Sequence, residues 1–284
     1  MKIGISSYSY FALLQDGTMT LKDVISHAAK TGYDQIEFID ITPPEGTDII
    51  EYAEALRAHA DENGIEISAY TVGAEFMLPN KGTSADEVTR VKTCLDVAAV
   101  LGAKMLRHDA TWGFKGKQGS YIEAIDVISP YIREVAEYGQ GLGIKTMCEN
   151  HGFFMQDSYR MEYLVQKVNH SNFGILIDIG NFLCADENPI SAVARLAPYA
   201  THVHVKDFLV KTGAGPSPGD GWFQSRGGEH LRGTVIGHGV VPVPQCLKIL
   251  RDNGYTGDVS MEFEGLENSL FASKAGHKLL KSLV

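Results

Sequence analysis

Five times along this chain, a helix-like amphipathic stretch ends at a glycine and a short apolar run begins at once. The glycines are Gly32, Gly64, Gly102, Gly143 and Gly254. Glycine has no Cβ, so it suits the left-handed backbone position that closes a helix. Each therefore marks a helix-to-strand turn. Strand-like runs fall near residues 2–8, 35–39, 65–72, 104–108, 144–149, 174–179, 201–206 and 258–263. Between them, Leu21, Val24, Ile25 and Ala28 follow the i, i+3, i+4, i+7 spacing of one helix face, as do Val88, Val91, Leu95 and Ala98. Ser84 with Glu87 and Ser120 with Glu123 read as capping boxes at helix starts. Alternating strand and helix implies a parallel sheet covered by helices. Eight such units in 284 residues predict an α/β fold, a (β/α)8 TIM barrel formed by residues 1–284 as a single domain. The open doubly wound sheet is the alternative. It often carries a Gly-x-Gly-x-x-Gly turn after its first strand, and Ile5-Ser6-Ser7-Tyr8 offers none.

One stretch breaks the rhythm. Residues 208–235 are long for a connection and rich in glycine, as in Thr212-Gly213-Ala214-Gly215-Pro216. They predict a long loop insertion after the seventh strand, on the barrel face where active sites are built. A lid or substrate-contact loop and a mobile surface insertion both fit.

Charge and cysteine usage narrow the class. The net charge of −10 disfavours a surface devoted to phosphate backbones. Cys94, Cys148, Cys184 and Cys246 include no Cys-x-x-Cys pair, which argues against a structural zinc site and for reduced thiols in the cytoplasm. No apolar run reaches the length of a membrane span, and the N-terminus lacks the apolar core of a signal peptide.

The last four predicted strands end in groups that are costly to bury: Cys148-Glu149-Asn150-His151, Ile177-Asp178-Ile179-Gly180-Asn181, His202-Val203-His204-Val205-Lys206-Asp207 and Met261-Glu262-Phe263-Glu264. Side chains alternate along a strand, so His202, His204 and Lys206 share a face, as do Glu262 and Glu264. A lone strand-end acid is more often a cap or an ion-pair partner. Three carboxylates and an imidazole converging on one barrel mouth call for a shared cation. Glu149, Asp178, His204 and Glu262 fit a site for one divalent ion. That donor set suits Mn²⁺, Mg²⁺, Co²⁺ or Zn²⁺ and does not by itself choose among them; Mn²⁺ is the leading expectation.

At these motifs, together with Gly237-His238-Gly239, the sequence resembles the xylose isomerase-like TIM barrels, and within them the sugar phosphate isomerase/epimerase group. The resemblance covers nearly the whole chain. It implies that Glu149, Asp178, His204 and Glu262 bind one metal and that Glu149 and Glu262 flank the substrate as acid and base. The implied chemistry removes a proton α to a carbonyl through a metal-chelated enediolate, with a small carbohydrate or polyol as substrate. One position departs from the pattern. Ketose 3-epimerases and endonuclease IV carry a histidine three residues after the strand-six aspartate, where this chain has Asn181.

Secondary candidates for substrate contact are His151, Asn181, Lys206, Glu37, His108, Arg226 and Arg232, with Arg107 and His230 behind them. Glu37 could orient a ligand or a substrate hydroxyl, Lys206 could steady an oxyanion, and Asp207 should brace the insertion. Trp112 and Trp222 fit a sugar site or plain packing. The stretch Gly113–Ser120 only superficially resembles a phosphate loop. The leading expectation is a metal-dependent isomerase or epimerase. The alternatives are a dehydratase of an inosose or related polyol ketone and, behind it, an AP-endonuclease-type nuclease, which the net charge and Asn181 disfavour. A homo-oligomer is compatible with either enzyme reading.

Overall fold

The alternation folds into a closed barrel. In the computed structural model, which describes residues 1–114 and 119–284, the strands in chain order are β1 (Ile3–Ser6), β2 (Gln35–Ile39), β3 (Glu66–Val72), β4 (Met105–His108), β5 (Lys145–Glu149), β6 (Phe173–Asp178) and β7 (Ala200–Val205). Next come β8 (Asp207–Lys211), β9 (Phe223–Gln224) and β10 (His230–Thr234), and finally β11 (Val259–Met261). The barrel order is β1-β11-β7-β6-β5-β4-β3-β2, closed by parallel pairing of β1 with β2. All eight barrel strands overlap the predicted runs.

The helix faces and stops hold, while both expected capping boxes differ. The helix Leu21–Thr31 buries Leu21, Val24, Ile25 and Ala28. The helix Ser84–Leu101 buries Val88, Val91, Leu95 and Ala98. All five predicted stop glycines have positive φ. The expected Ser84–Glu87 box lies one residue off. Thr83 is the N-cap, and Asp86 closes the box by accepting from the Thr83 N–H at 2.7 Å. Ser120 caps its helix by accepting from Ile122 N at 3.2 Å, but Glu123 does not close the expected box.

A large apolar core lies between the strands and their helices, where Ile36, Phe38, Leu106, Ile175 and Val203 are fully buried. A separate small cluster of Ala69, Met147 and Leu176 lies on the opposite strand faces and plugs the barrel interior. Met147 and Leu176 sit two residues before Glu149 and Asp178. Strand alternation therefore aims both acids inward, just above the plug.

The insertion departs from the expected loop. Residues 207–234 form a three-stranded antiparallel sheet in the order β8-β10-β9. β8 follows β7 after a single residue, Lys206, so the chain runs straight out of the barrel into this sheet. Asp207 sits at the junction and accepts from the backbone N–H groups of Gly237, Gly239 and Val241 at 2.8 to 3.0 Å. A Cβ on Gly239 would lie 2.2 Å from Asp207 Oδ1, so that turn requires glycine. Of the phosphate-loop lookalike, Lys115, Gly116, Lys117 and Gln118 lie outside the described residues. Among the described residues, no helix is long and apolar enough to cross a membrane.

Candidate active site and metal centre

The strand ends bring Glu149, Asp178, His204 and Glu262 together. One ligand atom from each lies within 4.8 Å of all the others, and all four residues are buried. Asp178 Oδ1 is committed to the backbone N–H groups of Gly180 and Asn181, at 2.8 and 3.0 Å. That leaves Asp178 Oδ2 free to face the cluster. Asp178 Oδ2 and His204 Nδ1 are both buried without a hydrogen bond. Their nearest charged neighbours are at ion-pair range, Lys206 Nζ at 3.5 Å and Glu262 Oε1 at 3.6 Å. Orphaned buried polar atoms are costly, and a divalent cation with oxygen and imidazole donors would satisfy both. The residues present therefore fit such an ion.

Two cations are interleaved with these acids. Lys206 Nζ lies 2.7 Å from Glu262 Oε2 and 3.0 Å from Glu264 Oε2. Arg107 Nη2 lies 2.7 Å from Glu149 Oε2 and 2.9 Å from Asp109 Oδ1. The fields sort the carboxyl groups. Burial pushes Asp178 up to about 6, with Lys206 opposing and Glu149 and Glu262 adding to the rise. Burial would raise Glu262 as well, but Lys206 and His204 overrule it and hold that carboxyl well below its usual range. Asp109 is likewise brought down to about 2 against burial, chiefly by Arg107. Without a cation Asp178 and Glu262 thus differ in proton affinity, and an ion between them would favour the ionised form of both.

Around this centre the secondary candidates divide. Asn181 is buried and donates its amide to Glu149 Oε1 at 3.0 Å, so it orients a carboxylate. Glu37 faces inward from β2, with Oε2 3.0 Å from His202 Nε2 and Oε1 2.6 Å from His204 Nε2. The second contact is a close ion pair that is not aligned as a hydrogen bond. His151 reaches Asp109 Oδ1 at 2.9 Å and meets the edge of Trp112, whose ring is 55% exposed at the mouth.

Four candidates are not brought in. His108 points from β4 into the helix-facing core, edge-on to Phe76 and beside Cys148. Strand alternation sends its neighbour Arg107 inward instead. Arg226 is spent on Asp157 Oδ2, at 2.8 Å, and on the Phe153 carbonyl. Arg232 lies by Glu267 at 3.4 Å and by the Trp222 ring. His230, which is buried, contacts the Gly215 carbonyl. Asp109, which lies one residue beyond the end of β4, and Glu264 gained no assigned role from sequence. Only their pairing with Arg107 and Lys206 reveals them.

Comparison with known proteins agrees with the barrel fold. A sequence profile described as xylose isomerase-like TIM barrel matches residues 25–283. The uncharacterised protein YihM of Escherichia coli K12 is 27% identical over 128 residues, a match covering 45% of this chain and 37% of that protein. Among solved structures, the IOLI protein with a bound zinc atom superposes with a TM-score of 0.78 at 17% identity, over 100% of this chain and 98% of that one. The probable 3-DHS dehydratase AsbF of Bacillus anthracis superposes at 0.74 and 17% identity, over 99% of both chains. D-psicose 3-epimerase of Clostridium cellulolyticum H10, solved with D-tagatose, superposes at 0.72 and 18% identity, over 100% of this chain and 99% of that one. At such identities the structural likeness speaks to the fold, and the profile match over residues 25–283 carries the assignment: the chain belongs to the xylose isomerase-like TIM barrel family.

Proposed function

We propose that this chain is a divalent-metal-dependent isomerase or epimerase of a small polyhydroxylated carbonyl compound, with Glu149 and Glu262 as its acid–base pair. The observation that carries the reading is the buried set of four ligand atoms within 4.8 Å, two of them without a hydrogen bond. Glu149, Asp178, His204 and Glu262 would hold the ion, and Mn²⁺ is the metal we favour. When bound, a divalent ion supplies Lewis acidity that makes a C–H next to a carbonyl easier to deprotonate.

The chain's own groups do the rest. Glu149 and Glu262 leave the barrel from strands separated by β6 and β7, so they can address a bound substrate from different sides. Glu262, held ionised by Lys206 and His204, is suited to accept a proton. Asn181 and Arg107 fix the two oxygens of Glu149. Lys206 places a buried ammonium where negative charge would build as the proton leaves. One glutamate that takes and returns the proton gives isomerisation. Two on opposite faces give epimerisation.

The Lys206–Glu264 pair favours a second reading. Lys206, held between Glu262 and Glu264, is a buried proton donor of the kind that expulsion of a β-hydroxyl would need, and the similar AsbF structure is a probable dehydratase. The test is metal content of the purified protein, followed by a ketose and inosose panel in D₂O. About one ion per chain, with deuterium entering α to the carbonyl and no unsaturated product, supports isomerase or epimerase chemistry. An unsaturated product selects the dehydratase. Absence of bound metal after reconstitution with Mn²⁺, Zn²⁺ and Co²⁺ sinks both.

A further inference from the structure

We propose that Glu37 is the positioning residue of this centre. Its buried carboxylate holds His202 and His204 by their Nε2 atoms and so turns His204 Nδ1 toward Glu149 and Glu262. The inference rests on the metal reading above and adds to it a residue that touches neither metal nor substrate.

The contact is built across the barrel. β2 and β7 are not neighbours, since β1 and β11 lie between them. Glu37 therefore has to cross the interior, which needs room and aim. Room comes from small residues on the intervening strands. Gly4 of β1 pairs with Ser260 of β11, and Ser260 pairs with His204. A Cβ on Gly4 would lie 2.7 Å from Ser260 Oγ. Aim comes from two breaks in strand register. Along β2, Ile36 pairs with Ile67 and Glu37 with Ala69, so Ser68 is skipped. Along β7, Ala200 pairs with Ile175 and His202 with Leu176, so Thr201 is skipped. Such irregularities re-aim side chains beside active sites. Among the described barrel pairings these are the two breaks, one beside each end of the Glu37–His202 contact.

The chemistry follows from the donor inventory. An ionised carboxylate only accepts, so each imidazole nitrogen facing Glu37 carries the proton. A cation at the centre would take the place of the second His204 proton, so that Nδ1 presents a lone pair on the side where Glu262 Oε1 lies at 3.6 Å and Glu149 Oε1 at 3.8 Å. Glutamine at position 37 keeps the size but offers one acceptor and one donor. A histidine facing the amide N–H would have to bare its Nε2 and carry its proton on Nδ1. For His204, that places a proton where the cation belongs.

The experiment titrates Mn²⁺ and Co²⁺ into wild type and Glu37→Gln, following affinity and the Co²⁺ visible spectrum. Glu37→Gln should lose about 10- to 100-fold in affinity and show an altered spectrum. Should that variant misfold, ¹⁵N spectra of Zn²⁺-loaded wild type give an independent readout. They should show two slowly exchanging histidine Nε2–H groups and His204 coordinated through Nδ1. Affinity within about twofold of wild type in a folded variant, or coordination of His204 through Nε2, overturns the inference while leaving the metal reading intact. Two ions per wild-type chain also overturn it, because Glu37, His202 and His204 would then be ligands themselves. A wild type that binds none of the three metals overturns the metal reading and this inference with it.

Discussion

Lys206 Nζ sits 2.7 Å from Glu262 Oε2, so a lysine at the end of β7 is locked onto the strand-end acid proposed to take the proton. In metal-free protein this ammonium and the His204 imidazole neutralise part of the buried negative charge. In the proposed reaction Lys206 is expected to face the developing oxyanion. Lys206→Met should then lower kcat by about 10²-fold or more, in the range seen on removing one oxyanion donor. It should leave about one Mn²⁺ per chain, because Lys206 is not a ligand. Steady-state kinetics with metal analysis separates this from Glu262→Gln, which should lose metal and turnover together.

Arg107 is the corresponding partner for Glu149, and its side chain is 5% exposed. Removing it would leave Glu149 and Asp109 buried near one another without their shared cation. Breaking a buried pair on one side costs about 3–5 kcal/mol. Arg107→Met should therefore lower the unfolding free energy from urea titration by about 3–5 kcal/mol when measured without metal. Added Mn²⁺ should recover part of the loss, because an ion at the centre again offsets the Glu149 charge.

A bound ion should stabilise the wild type by mass action. At free Mn²⁺ about 100-fold above Kd, the gain is about 2.7 kcal/mol, provided the unfolded chain does not bind. Thermal unfolding should shift upward with Mn²⁺ and return to the metal-free value on adding EDTA. An Asp178→Asn variant should show no such shift, since Asp178 Oδ2 supplies one of the four converging atoms.

Why the barrel was legible in the sequence while parts of its mouth were not can be seen in particular residues. Gly32 and Gly102 mark helix ends because backbone sterics at positive φ are local. Glu149, Asp178, His204 and Glu262 were legible because strand period and strand-end position together fix their direction. His108 and Arg107 show the limit of that logic. Both close β4, but only strand parity decides which one enters the barrel, and a one-residue error exchanges them. Asp109 lies beyond the strand, where no period applies, and its role depends on Arg107. The insertion was misread for a related reason. Its strands pair only with one another, β9 is two residues long, and its glycine-rich turn dominates the local signal.

Burial of His108 makes acid stability a direct test of its placement. Its pKa is lowered to about 4 by burial first, with nearby Arg107 acting in the same direction. The unfolded value is near 6.5. Between these values the unfolded chain binds the extra proton, so stability falls as pH falls from about 6.5 toward 4. The loss between pH 7.5 and pH 5 is about 2 kcal/mol from this residue alone. His108→Gln should flatten that slope by about one proton, whatever it does to stability at neutral pH. A slope equal to wild type would place His108 in contact with solvent, against the core position seen here.

The last expectation concerns the inserted sheet. Its β9–β10 turn is latched to the segments that follow β5 and β6. Asp186 accepts from Ser225 Oγ at 2.5 Å and from the Gly227 N–H, and the Arg226 N–H donates to the Cys184 carbonyl at 2.8 Å. The Arg226 side chain then spans to Asp157 and to the carbonyl of Phe153, two residues beyond His151. Phe153 is held at a φ of 59°, costly for a bulky side chain, and is 45% exposed. The latch therefore fixes the chain just beyond His151 at the mouth of the site. Arg226→Ala should cost only about 1 kcal/mol, since its ion pair is partly exposed and screened. It should also speed proteolysis within residues 212–222. Because Arg226 touches neither the carboxylate cluster nor the reacting atoms, Mn²⁺ affinity should stay at the wild-type value. If the latch shapes substrate binding, KM should rise with kcat little changed, the pattern expected when binding is lost equally from ground and transition states. A fall in kcat at constant KM would instead mean that the turn helps to align the catalytic groups themselves.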